Sequence, residues 1–114
     1  MRTPEAVREL DRAMAAIRAP TVPLVRKIRR AISGRLRTES RADVFTLAIA
    51  LVSRDDGFDR FIASELVAAH RPTMERLTAR DVPALGTGMD SWDDVDTFAS
   101  LVAGPAWRAA RISV

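Results

Sequence analysis

The chain reads as an all-α protein, and three observations say so. Apolar residues recur at steps of three and four along most of its length, the spacing of one helix face. No stretch of more than five residues alternates apolar and polar with the period of a strand. Ser, Thr and Pro stand where helices should begin, and Pro or Gly where they should end, with short gaps between. Successive antiparallel pairs joined by short connections predict an α-solenoid of stacked helix pairs. A compact helical bundle is the alternative architecture.

Thr3 caps the first helix and Pro4 takes its first position; Val7, Leu10, Met14 and Ile17 follow at helical steps. Ala19-Pro20 breaks it. Thr21-Val22-Pro23 starts a second helix that runs to about Leu36, with Leu24, Val25, Ile28 and Ile32 on one arc and Gly34 weakening its last turn. Ser40 with Asp43 forms a capping box for a third, carrying Val44, Phe45, Leu47, Ala48, Leu51 and Val52. After the turn Arg54-Asp55-Asp56-Gly57, a fourth runs from about Phe58 to His70, with Phe58, Phe61, Ile62, Leu66 and Val67 inward, and Arg71-Pro72 ends it. Thr73 to Ala79 holds about two turns using Met74 and Leu77, and Asp81 to Leu85 one more around Pro83. Gly86-Thr87-Gly88 is a loop. A further helix runs from Trp92 to Val102, Gly104 stops it, and Pro105 opens the last, Ala106 to about Ile112.

At 114 residues the chain is expected to be one domain, or part of one, large enough for a real core. It has no cysteine and one histidine, so a thiolate metal site is excluded, metal catalysis is not expected, and no cofactor is implied. The N-terminus lacks the apolar segment of a secretory signal, and the longest nearly apolar run, Val44 to Val52, is far too short to span a bilayer. A cytoplasmic protein without a membrane partner is the expectation.

The stretch Ser91-Trp92-Asp93-Asp94-Val95-Asp96 carries the chemistry. Ser91 followed by Asp94 reads as a capping box, and Val95, Phe98, Ala99 and Val102 form the predicted buried stripe. Trp92 and Asp96 are one helical turn apart, so their side chains are neighbours at the stripe's edge, whereas Asp93 and Asp94 point elsewhere. A carboxylate beside an indole suits a cationic ligand: the ring face attracts positive charge and the acid neutralises it.

Trp-Asp-Asp-Val-Asp after Gly-Met-Asp-Ser resembles the W-x-x-x-D segment of the HEAT-repeat DNA alkylation repair glycosylases (AlkD-like). That resemblance implies a HEAT-like solenoid, of which residues 1–114 would be the N-terminal part. It implies duplex DNA containing alkylated purines as the partner, Asp96 as the catalytic acid residue and Trp92 as a substrate-binding wall against the lesion-bearing nucleotide. The reaction implied is hydrolysis of the N-glycosidic bond of a cationic N3- or N7-alkylpurine. Alkylation already makes such a base a good leaving group, so the carboxylate stabilises the oxocarbenium-like sugar and can orient a water. The family's further Arg and second Trp would fall beyond Val114.

Charge distribution adds a second argument for DNA. Between Arg26 and Arg41 stand seven basic residues against one acid, Glu39. On a helical projection Arg26, Arg29, Arg30 and Arg37 lie opposite Leu24, Ile28 and Ile32, predicting a solvent-facing band that contacts phosphates. From Asp81 to Trp107 there are five Asp and no base. His70 is expected to be a helix-end cap, Trp107 to pack on the preceding helix, and the Met residues to fill the core. Trp107, Ile112 and Val114 begin an amphipathic helix with nothing after it to pair with, which predicts either the N-terminal part of a longer protein or self-association through that end. The alternative function is a non-catalytic HEAT-like protein-interaction module, since fold does not fix function.

Overall fold

A computed structural model of the chain describes residues 2–54, 56–86, 95 and 98–108, and all regular structure among them is helical. In chain order the helices are α1 (Thr3–Ala15), α2 (Val22–Leu36), α3 (Arg41–Val52), α4 (Gly57–Ala69), α5 (Arg71–Glu75) and α6 (Asp81–Leu85). A π-helical turn, Ala99–Ala103, then runs into α7 (Gly104–Arg108).

The helix starts follow local chemistry. Thr21 Oγ1 accepts the Leu24 N–H at the head of α2, and Ser40 Oγ accepts that of Asp43 at the head of α3, as the sequence predicts. Two starts escape the sequence reading. Asp56 caps α4, its carboxylate accepting the N–H groups of Phe58 (2.9 Å) and Asp59 (3.2 Å). Thr78 and Asp81 make a reciprocal box before α6: the Thr78 N–H bonds the Asp81 carboxylate at 3.0 Å, and Thr78 Oγ1 accepts the Asp81 N–H at 3.2 Å. Arg71-Pro72 follows the end of α4 as expected, and it also opens α5. A proline lacks only an N–H that the first turn leaves unbonded anyway.

The helices stack as hairpins. α1 runs antiparallel to α2, since Arg35 near the end of α2 pairs with Glu9 and Glu5 near the start of α1. The pair α3–α4 lies beside the first, with α3 on α1 and α4 on α2. α2 and α4 run in the same direction: Arg26 meets Phe61 and Glu65, while Leu36 and Arg37 lie by Leu66 and His70. The remaining segments continue the two layers, with α5 and α6 against α3, and the π-helical turn against α4. Like helices therefore stack on like, each hairpin on its neighbour.

Position in the stack decides what each helix buries. α1 is an outer element and buries one stripe, Ala6 and Leu10, with Val7 and Met14 half-buried beside it. α3 is central and buries a broader arc, Val44, Leu47, Ala48, Leu51 and Val52, with Phe45 and Ile49 half-buried beside it. α4 is sandwiched so closely that Asp59, Arg60, Ser64 and Glu65 are buried along with Ile62, Ala63, Leu66 and Val67. Buried charges must be paired. Asp59 bonds Arg54 Nε at 3.0 Å, and Arg54 reaches Asp11 of α1 through Nη2 at 2.7 Å. Desolvation nonetheless holds the Asp59 carboxyl above its usual range, with Arg54 pulling the other way and Asp56 and Asp11 adding to the rise. Across the molecule Arg41 bonds Asp81 and the Arg76 carbonyl, with its guanidinium over the Phe45 ring, and so ties α3 to α5 and α6.

The segment before α7 departs from the expected plain helix. The Gly104 N–H bonds the Ala99 carbonyl, five residues back, which defines the wide π turn. A Cβ on Gly104 would lie 2.7 Å from that carbonyl oxygen, so glycine is required by close approach. Pro105 has no N–H for the preceding turn and crowds it, which a widened turn accommodates. Phe98, Val102 and Ala106 are buried, whereas Val95 and Ala99, expected on the same stripe, are exposed. The extra residue in the turn shifts the buried face along the helix.

Candidate nucleic-acid interface

Helix α2 carries the basic stretch, and its packing divides that stretch in two. The helix buries Val25, Ile32 and Leu36, with Ile28 half-buried. Leu24, expected inward, is 44% exposed. Contact with both α1 and α4 turns the buried arc toward Leu36, about 45° from the arc the sequence suggests at ~100° per residue. That rotation brings Arg29 to the edge of the core, where its side chain is only 14% exposed.

There Glu65 of α4 receives two arginines. Arg26 Nε bonds one carboxylate oxygen and Arg29 Nε the other, both at 3.0 Å, with the Glu65 side chain 8% exposed. Arg29 Nη1 also reaches Ser33 Oγ at 3.2 Å. The Arg26 guanidinium carbon sits 5.6 Å from the centre of the Phe61 ring, a favourable cation–π approach. Arg26 is thus held by its inner nitrogen and one face, while its side chain remains 40% exposed. The expected free band of four is corrected accordingly: Arg29 is spent inside the protein, and Arg26 offers only its outer edge.

Arg30 and Arg37 are exposed and make no ion pair or side-chain hydrogen bond among the described residues; the same holds for Lys27. Arg26, Arg30, Ser33 and Arg37 follow at steps of four, three and four, so the exposed cations lie along one strip. Along some 16 Å of helix, at ~1.5 Å per residue, such a strip matches a nucleic-acid backbone in sign. Sequence reasoning found the strip and missed Glu65. The available signal was a polar residue at the centre of an apolar helix, four residues after Phe61.

Trp92 and Asp96 lie outside the described residues, as do Asp93, Asp94, Ile112 and Val114. Their neighbours Val95 and Phe98 are helical, and the π turn that follows packs on α4, the helix that carries Glu65. His70 sits between α4 and α5, its Nδ1 2.7 Å from Thr73 Oγ1 and its Nε2 3.1 Å from the Glu39 carbonyl. A carbonyl only accepts, so Nε2 carries the proton and donates to it; the ring is a structural link. Trp107, expected to pack on the preceding helix, is 52% exposed. Among the described residues no group of three potential ligands could hold a metal ion, and no helix is long and apolar enough to cross a membrane. Compared with known proteins, the chain matches no family model, no curated sequence and no solved structure.

Proposed function

We propose that this chain is a cytoplasmic DNA-binding module of the HEAT-repeat alkylation-repair type, which lays the exposed strip of α2 along the phosphate backbone. Lys27, Arg30, Arg37 and the outer edge of Arg26 make the phosphate contacts. Trp92 and Asp96, one helical turn apart in sequence, engage the lesion: the indole against a cationic N3- or N7-alkylpurine nucleotide, and the carboxylate against the sugar as the glycosidic bond breaks. The base already carries positive charge, so the ionised acid does not need to protonate it. Its work is to stabilise the oxocarbenium-like sugar and orient the attacking water.

One observation carries the DNA part of this reading. Three cations on one exposed face, Lys27, Arg30 and Arg37, lack partners among the described residues, and α2 itself carries no acid to neutralise them. Fluorescence anisotropy with a labelled duplex tests it. Three to four neutralised phosphates predict a slope of log K against log salt of about −3 to −4. Lys27→Glu with Arg30→Glu should lower affinity and flatten that slope. Binding that is unchanged between low and moderate salt refutes the strip as a phosphate contact.

A second reading, a non-catalytic protein-interaction module, is favoured by the exposed apolar residues Val22 and Leu24 on the first turn of α2 and Trp107 on α7. It predicts association that is insensitive to salt and lost on Leu24→Asp.

A further inference from the structure

A cleft of about 450 Å³ opens between the last turns of α2 and the corner where α4 meets α5. Leu36, Leu66 and Pro72 give it an apolar lining, and Arg37 and Arg71 stand at its mouth. Among the residues that line it there is no acid. The corner is fixed in advance, because His70 has both ring nitrogens bonded and Thr73 beneath it is fully buried. A preformed wall means that an occupant does not have to order it.

Two features of the cleft are not explained by packing. The first is Gly34, which lies within α2 although glycine weakens a helix. No packing demands it: a Cβ at this position would meet nothing within 4 Å, in contrast to Gly104. Its effect is to keep that wall of the cleft open. The second is Arg37. Arg71 is engaged by Glu75 at 2.6 Å, but Arg37 makes no ion pair among the described residues. The carbonyl ends of α2 and α4 favour cations here, which accounts for their presence but leaves the Arg37 guanidinium donors unbonded.

We propose that this cleft is a binding site for a small amphipathic carboxylate, with its aliphatic body on Leu36, Leu66 and Pro72 and its charge on Arg37. The volume lies toward the small end of ligand pockets and suits a body of about six to ten carbons. Charge complementarity selects the anion: a carboxylate accepts the paired N–H groups of a guanidinium, whereas an ammonium group would meet Arg37 and Arg71 as like charges. The site is independent of DNA binding apart from Arg37, which serves both.

Isothermal titration of the full chain with octanoate tests the assignment, with octylammonium as the control of equal body and opposite charge. Octanoate should bind saturably with a Kd below about 1 mM, and octylammonium at least about tenfold more weakly. Arg37→Ala should weaken octanoate by about tenfold or more. Gly34→Leu and Ala69→Leu, placed on opposite walls, should each reduce binding, and the thermal melt of each variant shows that it remains folded. Lys27→Glu should leave octanoate binding intact while lowering DNA affinity, which separates this site from the DNA strip. The proposal is overturned if wild type shows no saturable binding, if octylammonium binds equally, or if binding survives both wall substitutions.

Discussion

Glu65→Ala removes the carboxylate shared by Arg26 and Arg29, and the three side chains differ enough in exposure for the cost to be worked out. Glu65 is 8% exposed, Arg29 14% and Arg26 40%. Arg26 can turn its freed Nε to water, so its loss is that of a partly exposed pair, about 0–1 kcal/mol. Arg29 cannot do so without leaving the core edge. Its charged hydrogen bond is worth about 1.5–3 kcal/mol when the partner is deleted and the donor stays dry. The sum is a destabilisation of about 2–4 kcal/mol. Arg29→Ala should cost less than Glu65→Ala, because the acid keeps Arg26, and Arg26→Ala least of the three. Urea denaturation followed by circular dichroism reads this order. DNA affinity should move oppositely to stability: deleting the acid leaves two guanidiniums uncompensated beside the strip and should steepen the salt slope by about one. A stability change below ~0.5 kcal/mol for Glu65→Ala, the usual range of an ordinary surface substitution, or Arg26→Ala as the most damaging variant, would show that the pairing does not hold α2 to α4.

Three further outcomes are expected. Burial raises the Asp59 carboxyl above its ordinary 3.8, so the native state takes up a proton more readily than the unfolded chain. The contribution of Asp59 to stability therefore falls as pH rises through the raised native value. Paired denaturation curves should show wild type gaining on Asp59→Asn between pH 7 and about pH 4, and a flat or reversed difference refutes it. The two helical glycines should respond with opposite signs. Gly104→Ala puts a Cβ 2.7 Å from the Ala99 oxygen and should cost about 1–3 kcal/mol, whereas Gly34→Ala should stabilise by about 0.4–1 kcal/mol. Thermal melts that moved the same way for both would contradict this. Asp96→Asn should slow alkylpurine release by roughly two to four powers of ten while leaving DNA affinity unchanged or slightly tighter, with Asp93→Asn close to wild type. Equal behaviour of the two variants in an active protein would make Asp96 a helix-start acid and nothing more.

The fold class and most helix positions were legible along the chain because they depend on local chemistry. The 3.6-residue period and the caps at Thr21 and Ser40 act within a few residues of themselves, whereas α1 ends at Ala15, ahead of the break expected at Ala19-Pro20. The exposed cations Arg30 and Arg37 were legible too, because a long, unneutralised basic run has few places to go except solvent. What escaped depends on neighbours distant in sequence. A helix that packs on one partner has a single buried arc that its own sequence shows, but α2 packs on two, and the compromise turned Leu24 outward and Arg29 inward. The meeting of Arg29 with Glu65, 36 residues away, has no local signature. The same holds for Asp59, whose burial follows from α4 lying among α2, α3, α5 and the π turn. Chain-local forces set which segments are helical. Where those helices bear on one another decided which charges are spent inside the protein and which stay free to meet a ligand, because desolvation and ion pairing depend on distance in space.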